Sequence, residues 1–164
     1  MEFIPNFKIS GLGDSYLKTA ELCEKNDLFK PAIMNAAFSC ELYLKSFLAG
    51  ADEKVILSDG ENIDIYTSHP SKVNGHKLFK DLYKNIHQDF IKLIELESPI
   101  INPDYKLEES LQKYENIFIS CRYAYESESL MPSITNYDIL DLARHLKQVV
   151  WNVAAHTHPK KRSV

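Results

Sequence analysis

Phe29–Leu48, FKPAIMNAAFSCELYLKSFL, is the stretch whose reading decides the fold. Advancing ~100° per residue, the step of a 3.6-residue turn, puts Ile33, Ala36, Ala37, Cys40, Leu44, Phe47 and Leu48 in one sector. Met34 and Tyr43 widen that sector on either side. A helix this apolar belongs at the centre of a bundle rather than on its skin. Glu41 projects between Leu48 and Met34, inside the apolar arc. A carboxylate there must find a partner or take up a proton. The identity of that partner is the main clue to function.

Working outward, the preceding helix is expected to start near Asp14 or Ser15, after a Gly11-Leu12-Gly13 turn, with Tyr16, Leu17, Ala20 and Cys23 inward. Asn26-Asp27 breaks it, and Pro31 is tolerated in the first turn of the next helix. Two helices joined this tightly should pack antiparallel. Further on, Val55-Ile56-Leu57 and Ile63-Asp64-Ile65-Tyr66 flank a segment containing Asp59-Gly60, a hairpin signal. A two-stranded ribbon is marginal alone, so this insertion, about 54–67, is expected to lean on the bundle or a partner, over a site.

A third helix is expected after Gly75-His76, with Leu78, Phe79, Leu82 and Ile86 as its stripe, running on or kinking near Gln88. Pro99 and Pro103 are read as the bounds of a loop. Leu107, Leu111, Tyr114, Phe118, Cys121 and Tyr125 share one face of a fourth helix. The last helix opens at Thr135, with Asp138 three residues on, and buries Ile139, Leu142, Ala143, Leu146, Val149, Val150 and Val153. The expected fold is all-α: an antiparallel bundle of about five helices over 1–154, a small β-hairpin insertion between the second and third, and a flexible basic tail over 155–164.

Composition bounds the function. The chain has 164 residues, 45% hydrophobic and 26% charged, enough for one domain with a real core. A net charge of -4 argues against a general electrostatic grip on nucleic acid. Met1-Glu2-Phe3 lacks the positive start and apolar run of a signal peptide, and no apolar run reaches membrane-spanning length, so a cytoplasmic location is expected. Cys23, Cys40 and Cys121 lie on apolar faces without zinc or redox spacing, and are read as reduced core thiols. No cofactor motif and no metal site are expected. His87 and Asp89, two residues apart, do not share a helix face.

Three motifs occur in order. Ala37, Glu41, Leu44 and Lys45 stand on the central helix, His76 and Leu78 at a helix start, and Arg122 and Tyr123 on a later helix. This arrangement resembles the HEPN domain, a helical bundle named for higher eukaryotes and prokaryotes and for nucleotide binding. The resemblance covers about residues 12–154; the hairpin is not part of the common family core. It implies a homodimer that binds nucleotide or RNA, is often linked to nucleotidyltransferase partner proteins, and serves toxin–antitoxin, stress or phage-defence systems. Many members are metal-independent ribonucleases, marked by an arginine followed, after four to six residues, by a histidine. The sequence departs from that pattern. After Arg122 the relevant positions are Ser127, Glu128 and Ser129; after Arg144 they are Val149, Val150 and Trp151; Arg162 has no room. A non-nuclease variant is therefore the expectation, since the acid/base and the transition-state cation are missing as a spaced pair.

The candidate ligand-binding residues are Glu41, Lys45, His76, Arg122, Tyr125 and Glu126, with His76 and Arg122 the only candidates for catalysis. Glu41 and Lys45 have the favourable i, i+4 order. Three readings stay open. Arg122 and Glu41 form a buried pair locking two helices; the same residues hold a ligand, the arginine fork taking a carboxylate or phosphate; or they catalyse. Tyr125 lies on the inner stripe and could be core or stack a base. His145 is expected in solvent, His156 and His158 in the tail, and Lys160-Lys161-Arg162 solvated. Phe38, Leu42 and Tyr123 lie off the inner faces and are read as surplus apolar surface at a dimer interface. The function classes are thus a non-catalytic binding or assembly module, a ribonuclease with a displaced histidine such as His76, and a structural protein–protein interaction dimer using the hairpin.

Overall fold

A computed structural model describes residues 4–49, 51–58, 61–68, 74–122 and 138–157; over 51–58 and 61–68, and at Thr157, the description is of the backbone. Six helices are found among these residues, one more than expected: α1 (Phe7–Lys25), α2 (Phe29–Ala49), α3 (Gln88–Ile101), α4 (Leu107–Lys113), α5 (Ile117–Arg122) and α6 (Asp138–Thr157). Ala51–Ser58 (β1) and Glu61–Ser68 (β2) pair antiparallel, Ala51 opposite Ser68 and Ser58 opposite Glu61. None of the described helices is long and apolar enough to cross a membrane.

α1 starts a full two turns before the expected Asp14. The Asn6 side chain accepts from the Lys8 and Ile9 amides at 3.1 and 3.2 Å, so Asn6 is the cap and the two glycines are helical. Gly13 is there for packing: a Cβ on it would lie 3.0 Å from the Tyr43 ring, whose hydroxyl donates to Asp14 at 2.6 Å. Asp27, at φ 57, makes the tight turn into α2. α2 packs on α1, α5 and α6, and α6 packs on α1, α2, α3 and α4, so these two helices share the centre. Ile33, Cys40, Leu44, Phe118 and Val150 are all buried, as their positions on the stripes require. All three cysteines are free thiols, two of them buried. Burial raises the Cys40 thiol far above its ordinary range and pushes Cys121 up to about 11, leaving both protonated.

Three elements depart from the periodicity. The segment after His76 is a π turn, Leu78–Leu82, followed by a 3₁₀ turn, Tyr83–Asn85; Ile86 is extended before α3 begins. The expected fourth helix is two, because the backbone turns at 114–116 and the Glu115 carbonyl accepts from the Leu78 amide at 3.1 Å. Pro99 lies inside α3 rather than bounding a loop. It removes one helical donor near the helix end, and the ladder resumes with the Asn102 amide on the Ser98 carbonyl. α6 extends to Thr157, so His156 is helical and not part of a tail. Thr135 and residues 158–164, with Lys160, Lys161 and Arg162, fall outside the described residues.

Candidate functional site

Glu41 lies at the rim of the buried arc of α2 and is 5% exposed. Lys45, one turn on, donates from Nζ to Oε1 at 2.6 Å. His76 brings Nδ1 to 3.0 and 3.1 Å from the two carboxylate oxygens. The ring of His76 is placed by the segment around it. A Cβ at Gly75 would overlap Asp81, and Asp81 accepts from the Lys77 amide at 3.2 Å, which folds the chain tightly just beside the histidine. On its other side His76 stacks on Phe118 of α5, centroids 4.6 Å apart and planes 19° apart. Phe118 in turn meets Phe38 edge-on at 4.7 Å, and Phe38 stacks on Tyr16 at 5.2 Å. Phe38 is thus part of this aromatic row and is partly buried.

The chemistry of this arrangement follows from its asymmetry. The carboxylate is buried, whereas the His76 side chain is 44% exposed. With Nδ1 directed at Glu41, the neutral ring carries its proton there and leaves Nε2 as an acceptor; the charged ring donates from both nitrogens. Nε2 takes no hydrogen bond from a described residue. Arg122 closes α5, one turn beyond Phe118 on the same helix face, and its side chain is exposed. It is therefore not the buried half of a pair with Glu41: the buried carboxylate is served by Lys45 and His76. Tyr125 and Glu126 lie outside the described residues, as does Tyr123.

A second polar cluster, between α3 and α6, was missed in the sequence. Glu97, also 5% exposed, accepts from Asn152 Nδ2 at 2.9 Å and is in close contact with His156 Nε2. Beside it, Ser98 Oγ is 2.7 Å from His145 Nε2, and Tyr105 stacks on that imidazole at 4.2 Å. His145 is 5% exposed, not solvated, and burial lowers it to about 4, so it is neutral at ordinary pH. The signal was present: positions 145, 152 and 156 put two histidines and an asparagine on one line of α6. An apolar-stripe search passes over such a line. His87 and Asp89 have local roles, His87 capping α3 with Nδ1 3.3 Å from the Asp89 amide. No group of three or more His, Cys, Asp or Glu side chains that could hold a metal occurs among the described residues.

No family model, curated protein or solved structure matches this chain.

Proposed function

We propose that the chain is a non-catalytic, HEPN-type module that binds a nucleotide or an RNA segment at the face carrying His76 and Arg122. The observation that carries this reading is the half-exposed His76 ring, fixed edge-on by Glu41 and face-on by Phe118. A ring held in one orientation by a buried carboxylate loses little freedom when it meets a ligand. Its remaining nitrogen suits a ribose hydroxyl or a phosphate oxygen, and Arg122 one turn along α5 adds a fork for phosphate. The module would act as a homodimer, with a nucleotidyltransferase as its partner protein, in a toxin–antitoxin, stress or defence setting. Support for that wider setting comes from the three sequence motifs.

The test is fluorescence anisotropy of a labelled oligoribonucleotide with the purified chain, followed by sizing of the RNA. Binding should be saturable and weaken about tenfold in each of His76→Ala and Arg122→Ala, with the RNA left intact. Affinity unchanged in both variants would remove this reading.

One observation favours a second reading. A carboxylate on Nδ1 of an exposed histidine is also how a general base is oriented. RNA shortening that disappears in His76→Ala and Glu41→Gln, with melting unchanged, would make the chain a ribonuclease with a displaced histidine.

A further inference from the structure

A cleft of about 400 Å³ opens between the C-terminal half of α3 and the start of α4, on residues that the proposed nucleotide face does not use. Its floor is apolar, with Ile94 and Leu107 buried, and Tyr83 and Tyr105 bring two aromatic rings to it. Its rim is acidic: Glu95 comes from α3, Glu108 and Glu109 from α4. Lys106, the basic side chain among the lining residues, is drawn to Glu109 at 3.2 Å.

Tyr83 supplies the observation that distinguishes this cleft from a surface cluster of acids. The residue is 4% exposed, its ring is stacked along Phe79, and its hydroxyl takes no hydrogen bond from a described residue. The hydroxyl is nonetheless absent from the fully enclosed polar atoms that lack a partner, so it reaches the cleft that the residue lines. Burial, with the nearby Glu108 and Glu95 carboxylates, pushes it up to about 12, so it stays a neutral phenol. Pro99 has no N–H to give the Glu95 carbonyl, which leaves that oxygen without its usual helical partner.

We infer that this cleft binds an alkylammonium cation, its charged head between Glu95, Glu108 and the Tyr83 hydroxyl and its carbon chain along the apolar floor. Three carboxylates against one ammonium among the lining side chains disfavour an anion and suit a cationic multiple donor. An ammonium group offers three N–H donors to these oxygens. The apolar floor suits an attached carbon chain and gives nothing to a hard hydrated metal ion. Two sources share this chemistry: a free aliphatic polyamine and a lysine side chain presented by a partner.

The experiment is calorimetric titration of the full chain with cadaverine and, separately, with N-acetyl-lysine methylamide. Saturable binding of cadaverine alone identifies a free amine; saturable binding of both identifies a site that also accepts a lysine side chain. Glu95→Gln with Glu108→Gln should weaken binding about tenfold or more. Tyr83→Phe keeps the buried ring, should melt with the wild type, and should lose about threefold. Asp89→Asn with Asp104→Asn removes the same charge elsewhere on the surface and should leave affinity unchanged. The inference is overturned if neither amine saturates, if the distant double variant loses as much as the cleft variant, or if Tyr83→Phe binds as well as the wild type.

Discussion

Glu41 and Glu97 are the same chemical object in two settings. Each is a 5% exposed carboxylate on a helix, each meets a half-exposed histidine, and each has a second nitrogen donor. The settings differ in where the donors come from. Both partners of Glu97 lie on α6, one turn apart, so the cluster fastens two long helices together. Glu41 takes Lys45 from its own helix and His76 from an irregular segment, whose ring then rests on a third element. The first arrangement holds the bundle and the second holds a side chain in place. Identical pairing can therefore be structural in one place and a candidate site in the other, and mutational energies should separate the two.

The largest expected effect is on acid stability and belongs to the α3–α6 side. Burial sets His145 at about 4 in the folded chain, against 6.5 for a free side chain. Between those values the unfolded chain binds the extra proton, so stability rises with pH there. The contribution is complete above about pH 6.5 and is lost as pH falls toward 4, amounting to about 3 kcal/mol at most. Urea unfolding at a series of pH values should show this slope in the wild type and a much flatter one in His145→Gln. Parallel curves for the two proteins would mean that another group controls acid unfolding.

Truncating the two carboxylates should then divide the pairings by role. Glu97→Ala removes the hydrogen bonds that join α3 to α6 and should cost about 2 kcal/mol, discounted from a fully buried pair because His156 can turn to water. Glu41→Ala frees Lys45 and His76, both partly exposed, and should cost about 1 kcal/mol. Affinity for RNA should move in the opposite order, falling in Glu41→Ala and holding in Glu97→Ala. Equal stability losses with equal affinity losses would erase the distinction.

How far these regions were legible depends on what each residue answers to. Local periodicity dictates α2, and its bounds and buried face were readable; Glu41, His76 and Lys45 were readable because they stand in motifs. The Glu41–Arg122 pairing was not legible, because the sequence shows that a rim carboxylate needs a cation but not which cation the tertiary structure delivers; Lys45 and His76 fill that place. The α1 start was misread because Gly13 resembles a turn residue when its role is to admit the Tyr43 ring. The division between α4 and α5 follows from the Glu115 carbonyl bonding Leu78, a long-range event with no local signature. The Glu97 cluster was hidden because polar residues on a buried line look solvated until a neighbouring helix supplies their partners.

The smallest expected effect tests the stacking on which the proposed role of His76 rests. Its imidazole and the Phe118 ring are 4.6 Å apart and nearly parallel, while Phe118 also meets Phe38 edge-on. Phe118→Leu keeps apolar volume in the core but removes the flat surface under His76. A double-mutant cycle of Phe118→Leu with His76→Ala should give a coupling of about 0.5–1 kcal/mol, the range of an aromatic contact beyond its buried area. If Phe118 only fills space, its loss is independent of His76 and the coupling is zero within error. If it orients the ring, Phe118→Leu alone should also weaken RNA binding about twofold to threefold, a change that leaves Glu41 untouched. A positive coupling with unchanged affinity would keep the stack as structure and detach it from the proposed site, making the Glu41 region a second fastening like that of Glu97.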